Sequence, residues 1–277
     1  MSAAAVSAAS VSAAAVRGVR DMYDRDAPAY AALRAPWLRP AGARAIAGLS
    51  LRGEPLVLDV ACGAGAGLDE IARVAPPARL VGVDLSAQML SLVDERHPVA
   101  QADAAALPFA DDVADALLCC FALMHLPSPA AAAVEFARVL RPGGTVAVAT
   151  WGPAAPWPVH AAVLAVLDEL GAPAVASSHH GGAATDSPSK LEHLLANAGF
   201  GEITTSCARL AAPSPSVDVE ATLLSWSSLG STATRLRALD EAGHREYRRR
   251  ALAILAEVDP ADLVDPREVV YAWARTT

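Results

Sequence analysis

The segment Asp59-Val60-Ala61-Cys62-Gly63-Ala64-Gly65-Ala66-Gly67 sets a carboxylate just ahead of a glycine-rich turn. Glycines at 63, 65 and 67 allow a tight bend and let a ligand come close to the main chain. A turn where a helix packs tightly on a strand is the other use of such residues. Two more acids follow, Asp84 in Leu80-Val81-Gly82-Val83-Asp84 and Asp103 in Asp103-Ala104-Ala105-Ala106-Leu107-Pro108-Phe109. Each stands at or near the end of an apolar run, where an unpaired charge is costly. A helix cap or a solvated strand end is the alternative for any one of them. Asp84 is placed to accept two hydrogen bonds from a ribose diol. No Lys follows the loop, and its third glycine comes too early for Gly-x-Gly-x-x-Gly, which argues against phosphate-cradling and dinucleotide loops. Asp59 would repel a pyrophosphate and suits a cationic amino or sulfonium group. The ligand these residues suit is a nucleoside with a positively charged tail, S-adenosylmethionine.

Elements that could position these acids are legible around them. The runs Leu56–Ala61, Leu80–Asp84, Val99–Asp103, Ala116–Leu123 and Thr145–Thr150 read as strands, short, apolar and largely separated by helical spacing. Helices are expected after the glycine loop (Leu68, Ile71, Ala72, Ala75), after Ser86 (Met89, Leu90, Val93) and around Phe136, Val139 and Leu140. That alternation argues for a parallel sheet covered on both faces. The rhythm then breaks. A helix at Lys190–Ala198, a strand at Glu202–Leu210, a helical stretch from about 217 to 257 and a strand at Val269–Arg275 suggest an antiparallel addition to the edge. The division expected is a low-complexity tail over 1–16, frayed or weakly helical, lid helices over 17–50, and one domain over 51–277 with cap insertions at about 151–186 and 212–257.

The blocks Val57–Gly67, Val81–Leu90, Asp103–Phe109 and Arg138–Trp151 resemble the class I S-adenosylmethionine-dependent methyltransferases, in particular the small-molecule branch related to the ubiquinone/menaquinone methyltransferases (methyltransferase type 11). The resemblance implies a Rossmann-like, doubly wound, seven-stranded α/β sheet, mostly parallel with an antiparallel last strand. By position it implies that Asp59 and the backbone of Ala61, Gly63 and Gly65 hold the methionine end, and that Asp84 holds the ribose. Leu85 and Met89 would pack on the adenine, Asp103 and the Ala104 N–H would meet its edge, and Phe121 would close the floor near the sulfonium. Tyr23 and Tyr30, in YDRDAPAY, fall where such enzymes place a lid helix.

Methyl transfer needs alignment first, and a base only if the acceptor must lose a proton. His125, after the fourth strand, is the best-placed base; a loop histidine bonded to backbone is the alternative. His160 follows a Trp/Pro-rich turn and is the second candidate. Trp151, Trp157 and Trp226 fall in segments expected to cover an acceptor, with Trp157 and Trp226 as substrate contacts. His179-His180 could bind metal or substrate, but no third ligand stands at diagnostic spacing, so no metal is expected. His193, His244 and the run Arg245–Arg250 read as surface.

With a formal net charge of −8 and a single lysine, Lys190, the chain lacks the cationic footprint of a nucleic-acid binder. No apolar stretch is long enough to span a membrane. Cys62, Cys119, Cys120 and Cys207 make no metal pair and no disulfide framework, which suggests the cytoplasm. The expectation is an enzyme that methylates a small apolar or aromatic metabolite, as a monomer or homodimer, releasing S-adenosylhomocysteine. Oxygen ranks ahead of carbon and nitrogen as acceptor. The Arg-rich, Lys-poor composition suggests bacterial specialised metabolism, by association. Two rivals stay open: a non-methylating cyclisation or rearrangement on the same fold, and a non-catalytic S-adenosylmethionine-binding subunit.

Overall fold

The computed structural model describes residues 3–175, 182–209, 218–263 and 266–277. Two helices lead in, α1 (Ala3–Ala29) and α2 (Ala35–Ala47), joined by a π-helical turn over Tyr30–Arg34. The alternating part runs β1 (Leu56–Val60), α3 (Ala66–Val74), β2 (Arg79–Asp84), α4 (Ala87–Leu90), β3 (Val99–Gln101), β4 (Ala114–Cys120), α5 (Pro129–Val139) and β5 (Leu140–Trp151). After it come α6 (Pro158–Glu169), α7 (Gly182–Thr185), α8 (Pro188–Asn197), β6 (Phe200–Arg209), α9 (Val219–Ser227), α10 (Gly230–Arg237), α11 (Glu241–Ala256) and β7 (Glu268–Thr276).

The seven strands form one sheet in the order β3-β2-β1-β4-β5-β7-β6. Pairings from β3 to β5 are parallel, and β7 runs antiparallel to both its neighbours. The sheet therefore has the doubly wound form expected, with the last strand inserted between β5 and β6. The central strands are apolar because both faces are covered: Val57, Leu58 and Val60 of β1 are all buried. On one face Phe136 of α5 and Leu191 and Leu195 of α8 pack over them. On the other lie Leu38 and Ile46 of α2 and Leu68 and Ile71 of α3. A third cluster, separate from the sheet, joins Val163 and Leu167 of α6 to Leu223 of α9 and Tyr247 and Leu255 of α11.

Several boundaries differ from the sequence reading, β5 among them, which begins at Leu140 rather than Thr145. The Ala/Ser tail is part of α1, one continuous helix from Ala3, as alanine's helix propensity favours. β4 stops at Cys120, because Phe121 takes a left-handed φ of 56° and the chain turns into a 3₁₀ helix over Leu123–His125. β3 ends at Gln101, two residues before Asp103. The helix after Ser86 is a single turn; beyond it Asp94 takes the amide of Arg96 and bends the chain away. His179 and His180 lie outside the described residues.

Candidate functional site

The helices that follow β1 and β4 leave to opposite faces of the sheet, α3 to one and α5 to the other. Between these adjacent strands the carboxyl edge opens into the crevice where open α/β sheets take their ligands. The backbone turns sharply on both sides of it. Ala61, Gly63 and Gly65 have φ of 58°, 54° and 87°, and Phe121 has 56°. Glycine adopts such angles freely, whereas Ala61 and Phe121 hold strained conformations that surrounding structure must enforce. The Cys62 amide pairs with the Val83 carbonyl, and the Gly65 amide with that of Cys62, pinning the loop to β2.

Asp59 lies beneath this loop and is 3% exposed. Its Oδ2 is buried and has no hydrogen-bond partner among the described residues. Burial, then the nearby Asp84, pushes its carboxyl up to about 8, against a bond from the Leu68 amide. A methyl group at Gly67 would stand 2.3 Å from that oxygen, so only glycine lets α3 come so close. Asp84 is oriented by main chain: the Gly63 amide donates to Oδ2 at 2.9 Å and the Ser86 amide to Oδ1 at 2.8 Å. Each oxygen keeps a further lone pair for a diol. Burial raises its pKa despite those bonds. An orphaned buried acceptor and a second, preoriented carboxylate fit a cationic nucleoside.

Asp103 accepts the Ala105 amide at 2.9 Å in a turn just past β3, beside buried Ala104. Arg138 of α5 fixes the strip that follows. It donates to the carbonyls of Leu107 and Phe109 and pairs with Asp111 and Glu135, while Glu135 takes the Leu107 amide at 2.8 Å. Leu85 is half-buried, whereas Met89 is wholly buried under the α4 turn that Ser86 caps.

Helix α1 is tied down near its carboxyl end. Asp24 accepts from Ser86 Oγ at 2.6 Å and from the Gln88 amide, and Asp26 accepts from the Gly230 amide and from Arg237. Tyr23 hydroxyl and His125 Nε2 are 3.0 Å apart. Tyr23 also meets the Tyr30 ring edge-on at 5.8 Å. Desolvation holds both phenols un-ionised, with Tyr30 pushed up to about 12. Between the glycine loop, Asp59, Phe121, Tyr30 and Leu38 the enclosed space is ≈ 80 Å³. That is well below the roughly 300–1,000 Å³ of small-molecule pockets.

Residues 58–148 match the family model of the methyltransferase domain. These residues are a class I S-adenosylmethionine-dependent methyltransferase domain. The chain is 34% identical over 140 residues to a ubiquinone/menaquinone biosynthesis C-methyltransferase of Syntrophotalea carbinolica, covering 47% of this chain and 59% of that one. It is 40% identical over 93 residues to a fatty-acid O-methyltransferase of Mycolicibacterium smegmatis, covering 32% and 34%. The matched stretches span between about a third and three-fifths of the length of these curated relatives. In fold it is similar to phosphoethanolamine N-methyltransferase 2 of Haemonchus contortus in complex with phosphomonomethylethanolamine and S-adenosylhomocysteine. There the TM-score is 0.55 at 17% identity, covering 93% of this chain and 59% of that one.

Around the methyltransferase domain the structure sorts the remaining candidates into two groups. Tyr30 and Phe121 line the crevice, and Tyr23 lies between Tyr30 and His125. Trp157, His160 and Trp226 form a cluster of their own in the cap: Trp157 stacks on His160 at 4.8 Å, Trp226 meets both edge-on, and the Trp157 indole donates to the Asp262 carbonyl. His193 and His244 are exposed. The Arg245–Arg250 run pairs with Glu241, Glu220, Glu246 and Glu169, a solvated helix face. Among the described residues no group of three or more His, Cys, Asp or Glu could hold a metal, and no helix is long and apolar enough to cross a membrane. A wider open groove bordered by Arg73, Arg79, Arg96 and His97 lies at the opposite edge of β2, away from the crevice.

Sequence reasoning missed Asp24 and Asp26, which dock α1, and Trp37, whose ring lies 5.6 Å from Trp151. The acids stand in plain view within YDRDAPAY, but only helix packing shows what they reach.

Proposed function

We propose that the chain is an enzyme that binds S-adenosylmethionine in the β1/β4 crevice and methylates a small metabolite with an apolar or aromatic body, at oxygen in preference to carbon or nitrogen. The observation that carries this is Asp59: a buried carboxylate oxygen with no partner among the described residues, under a glycine loop and beside a preoriented second carboxylate. When bound, S-adenosylmethionine supplies an electrophilic methyl carbon on a sulfonium. Asp59 would receive the ammonium of the methionine end, and the loop backbone from Ala61 to Gly65 would lie along it. Asp84 would hold the ribose diol, and Asp103 with the Ala104 N–H the adenine edge. Phe121 would close the floor near the sulfonium. His125 is the group that takes the proton of a hydroxyl acceptor, once Tyr23 yields Nε2. The lid excludes water during transfer.

The test is incubation with methyl-labelled S-adenosylmethionine and a panel of phenols, carboxylic acids and quinols. The expected products are the acceptor with one labelled methyl group and an equivalent of S-adenosylhomocysteine. A product isomeric with its substrate, with the nucleoside unconsumed, would instead support a non-methylating rearrangement.

A further inference from the structure

The last three helices are started in different ways. α9 is capped by its own Asp218, which accepts the amides of Glu220 and Ala221, and α11 by its own Asp240, which accepts that of Gly243. α10 has Leu229 in the capping position, and a leucine side chain has no acceptor to offer. Its first amide, that of Gly230, is taken instead at 2.9 Å by Oδ2 of Asp26 in α1, 204 positions away in sequence. Asp26 is buried, and its other oxygen accepts from Arg237 at the far end of α10 and from Arg25. Arg25 in turn reaches Thr234 Oγ1 at 3.2 Å. One buried carboxylate therefore holds both ends of α10. That helix is eight residues long and contains Gly, Ser and two Thr, so it is too short and too poor in helix formers to persist without such ties.

The two preceding residues fasten the same turn of α1 to the crevice. Asp24 accepts from Ser86 Oγ at 2.6 Å and from the Gln88 amide at 3.2 Å, and the Ser86 amide orients Asp84. Tyr23 meets His125 and rests edge-on against Tyr30, which lines the crevice. Four consecutive residues make about one helical turn, which is why a single helix can face both sides. Beyond α10, Arg235 donates to Asp168 of α6 and to the Ala172 carbonyl, and Leu236 is buried in the cap cluster that Trp157 and Trp226 pack against.

We infer that the turn Tyr23–Asp26 couples the crevice to the cap. A nucleoside in the crevice holds Asp84, Ser86 and Tyr30, keeps Tyr23–Asp26 fixed against them, and through Asp26 orders α10 and the cluster behind it. The cap is completed for an acceptor only after the nucleoside has bound, so the two substrates enter in that order. This rests on the methyltransferase reading and adds a sequence of binding to it. A marginal helix at one end of a chain of hydrogen bonds is the kind of element whose equilibrium both sites can bias.

The test is hydrogen exchange, read by mass spectrometry on the full chain with and without saturating S-adenosylhomocysteine. In the wild type the nucleoside is expected to slow exchange in the glycine loop, in the Ser86–Met89 turn and, by about fivefold or more, in α10. Asp26→Ala should abolish the slowing in α10 while the glycine loop stays protected and S-adenosylhomocysteine affinity stays within about threefold of wild type. Asp26→Asn keeps a capping oxygen but loses the charge facing Arg237, and should restore part of the effect. Leu229→Ser gives α10 a cap of its own and serves if Asp26→Ala does not fold. In it α10 should exchange slowly without the nucleoside, which should then add less than in the wild type. Three results would each overturn the inference: glycine-loop protection with no change in α10 of the wild type, slowing of α10 that survives in Asp26→Ala, or an undiminished increment in Leu229→Ser. All three leave the methyltransferase reading standing. No glycine-loop protection and no heat with S-adenosylhomocysteine fail that reading instead. The bridge is then judged without ligand: Asp26→Ala must speed exchange in the Ser86–Met89 turn as well as in α10, and an effect confined to α10 overturns it.

Discussion

The two halves of the carboxyl edge are built from different materials. From β1 to β3 the site is main chain and carboxylate: left-handed turns at Ala61, Gly63 and Gly65, amides that orient Asp84, and Asp59 sealed beneath. From β4 to β7, and on into the cap, it is side chain on side chain. Phe121, Trp151 and Trp37 form one column, and Trp157, His160 and Trp226 form another cluster. A surface made of backbone recognises what every ligand of the class shares. One made of rings can be rebuilt without disturbing the strands, and that is where a choice of acceptor can reside.

If that division is right, damage to the first half should destroy nucleoside binding, and damage to the cap should not. The largest effect is expected for Asp84→Ala. It removes the carboxylate that would meet the ribose and leaves the buried amides of Gly63 and Ser86 without their acceptor. Each orphaned amide costs about 1–3 kcal/mol, and S-adenosylhomocysteine affinity should fall by roughly 100-fold or more. Calorimetry and denaturant unfolding measure the two losses separately. Unchanged affinity in Asp84→Ala would break the comparison at its strongest point.

The sequence exposes the first half so well because its geometry is local. The spacing from Asp59 to Gly67, the strand end at Asp84 and the turn at Asp103 are each set within a few residues, and glycine identity reports backbone angle directly. The positive φ of Phe121 left no such mark, since a phenylalanine gives no hint of it; the end of β4 was read three residues too far along for that reason. The α1 contacts of Asp24 and Asp26 join residues more than 60 and 200 positions apart. Spacing carries no information at that range. The tryptophans of the last third were visible as a group, but not their division between Trp151 at the crevice and Trp157 with Trp226 in the cap.

The pH dependence of binding sharpens the same contrast. Asp59 titrates near 8 in the folded protein, above its unfolded value of about 3.9. The native state therefore binds more protons than the unfolded chain between about pH 4 and 8, and stability declines as pH rises through that window. Asp59→Asn should remove this decline. An ammonium-bearing ligand needs the ionised form, so S-adenosylhomocysteine affinity should weaken about tenfold per unit as pH falls from 8 to 6, and the slope should vanish in Asp59→Asn.

Smaller effects are expected outside the first half. Trp226→Ala should cost about 1–3 kcal/mol by opening the cap cluster, with S-adenosylhomocysteine affinity within about twofold of wild type, as read by thermal unfolding and calorimetry. Tyr23→Phe keeps the ring contacts and loses the bond to His125. A loss of about 1 kcal/mol in denaturant unfolding is expected.

The most direct test of the central claim is calorimetric titration of the wild-type chain with S-adenosylmethionine, S-adenosylhomocysteine and NAD. A crevice built for a cationic nucleoside predicts saturable binding of the first two, each coupled at pH 7 to release of close to one proton as Asp59 ionises, and no heat with NAD. Binding of NAD, or saturable heat with none of the three, would contradict it.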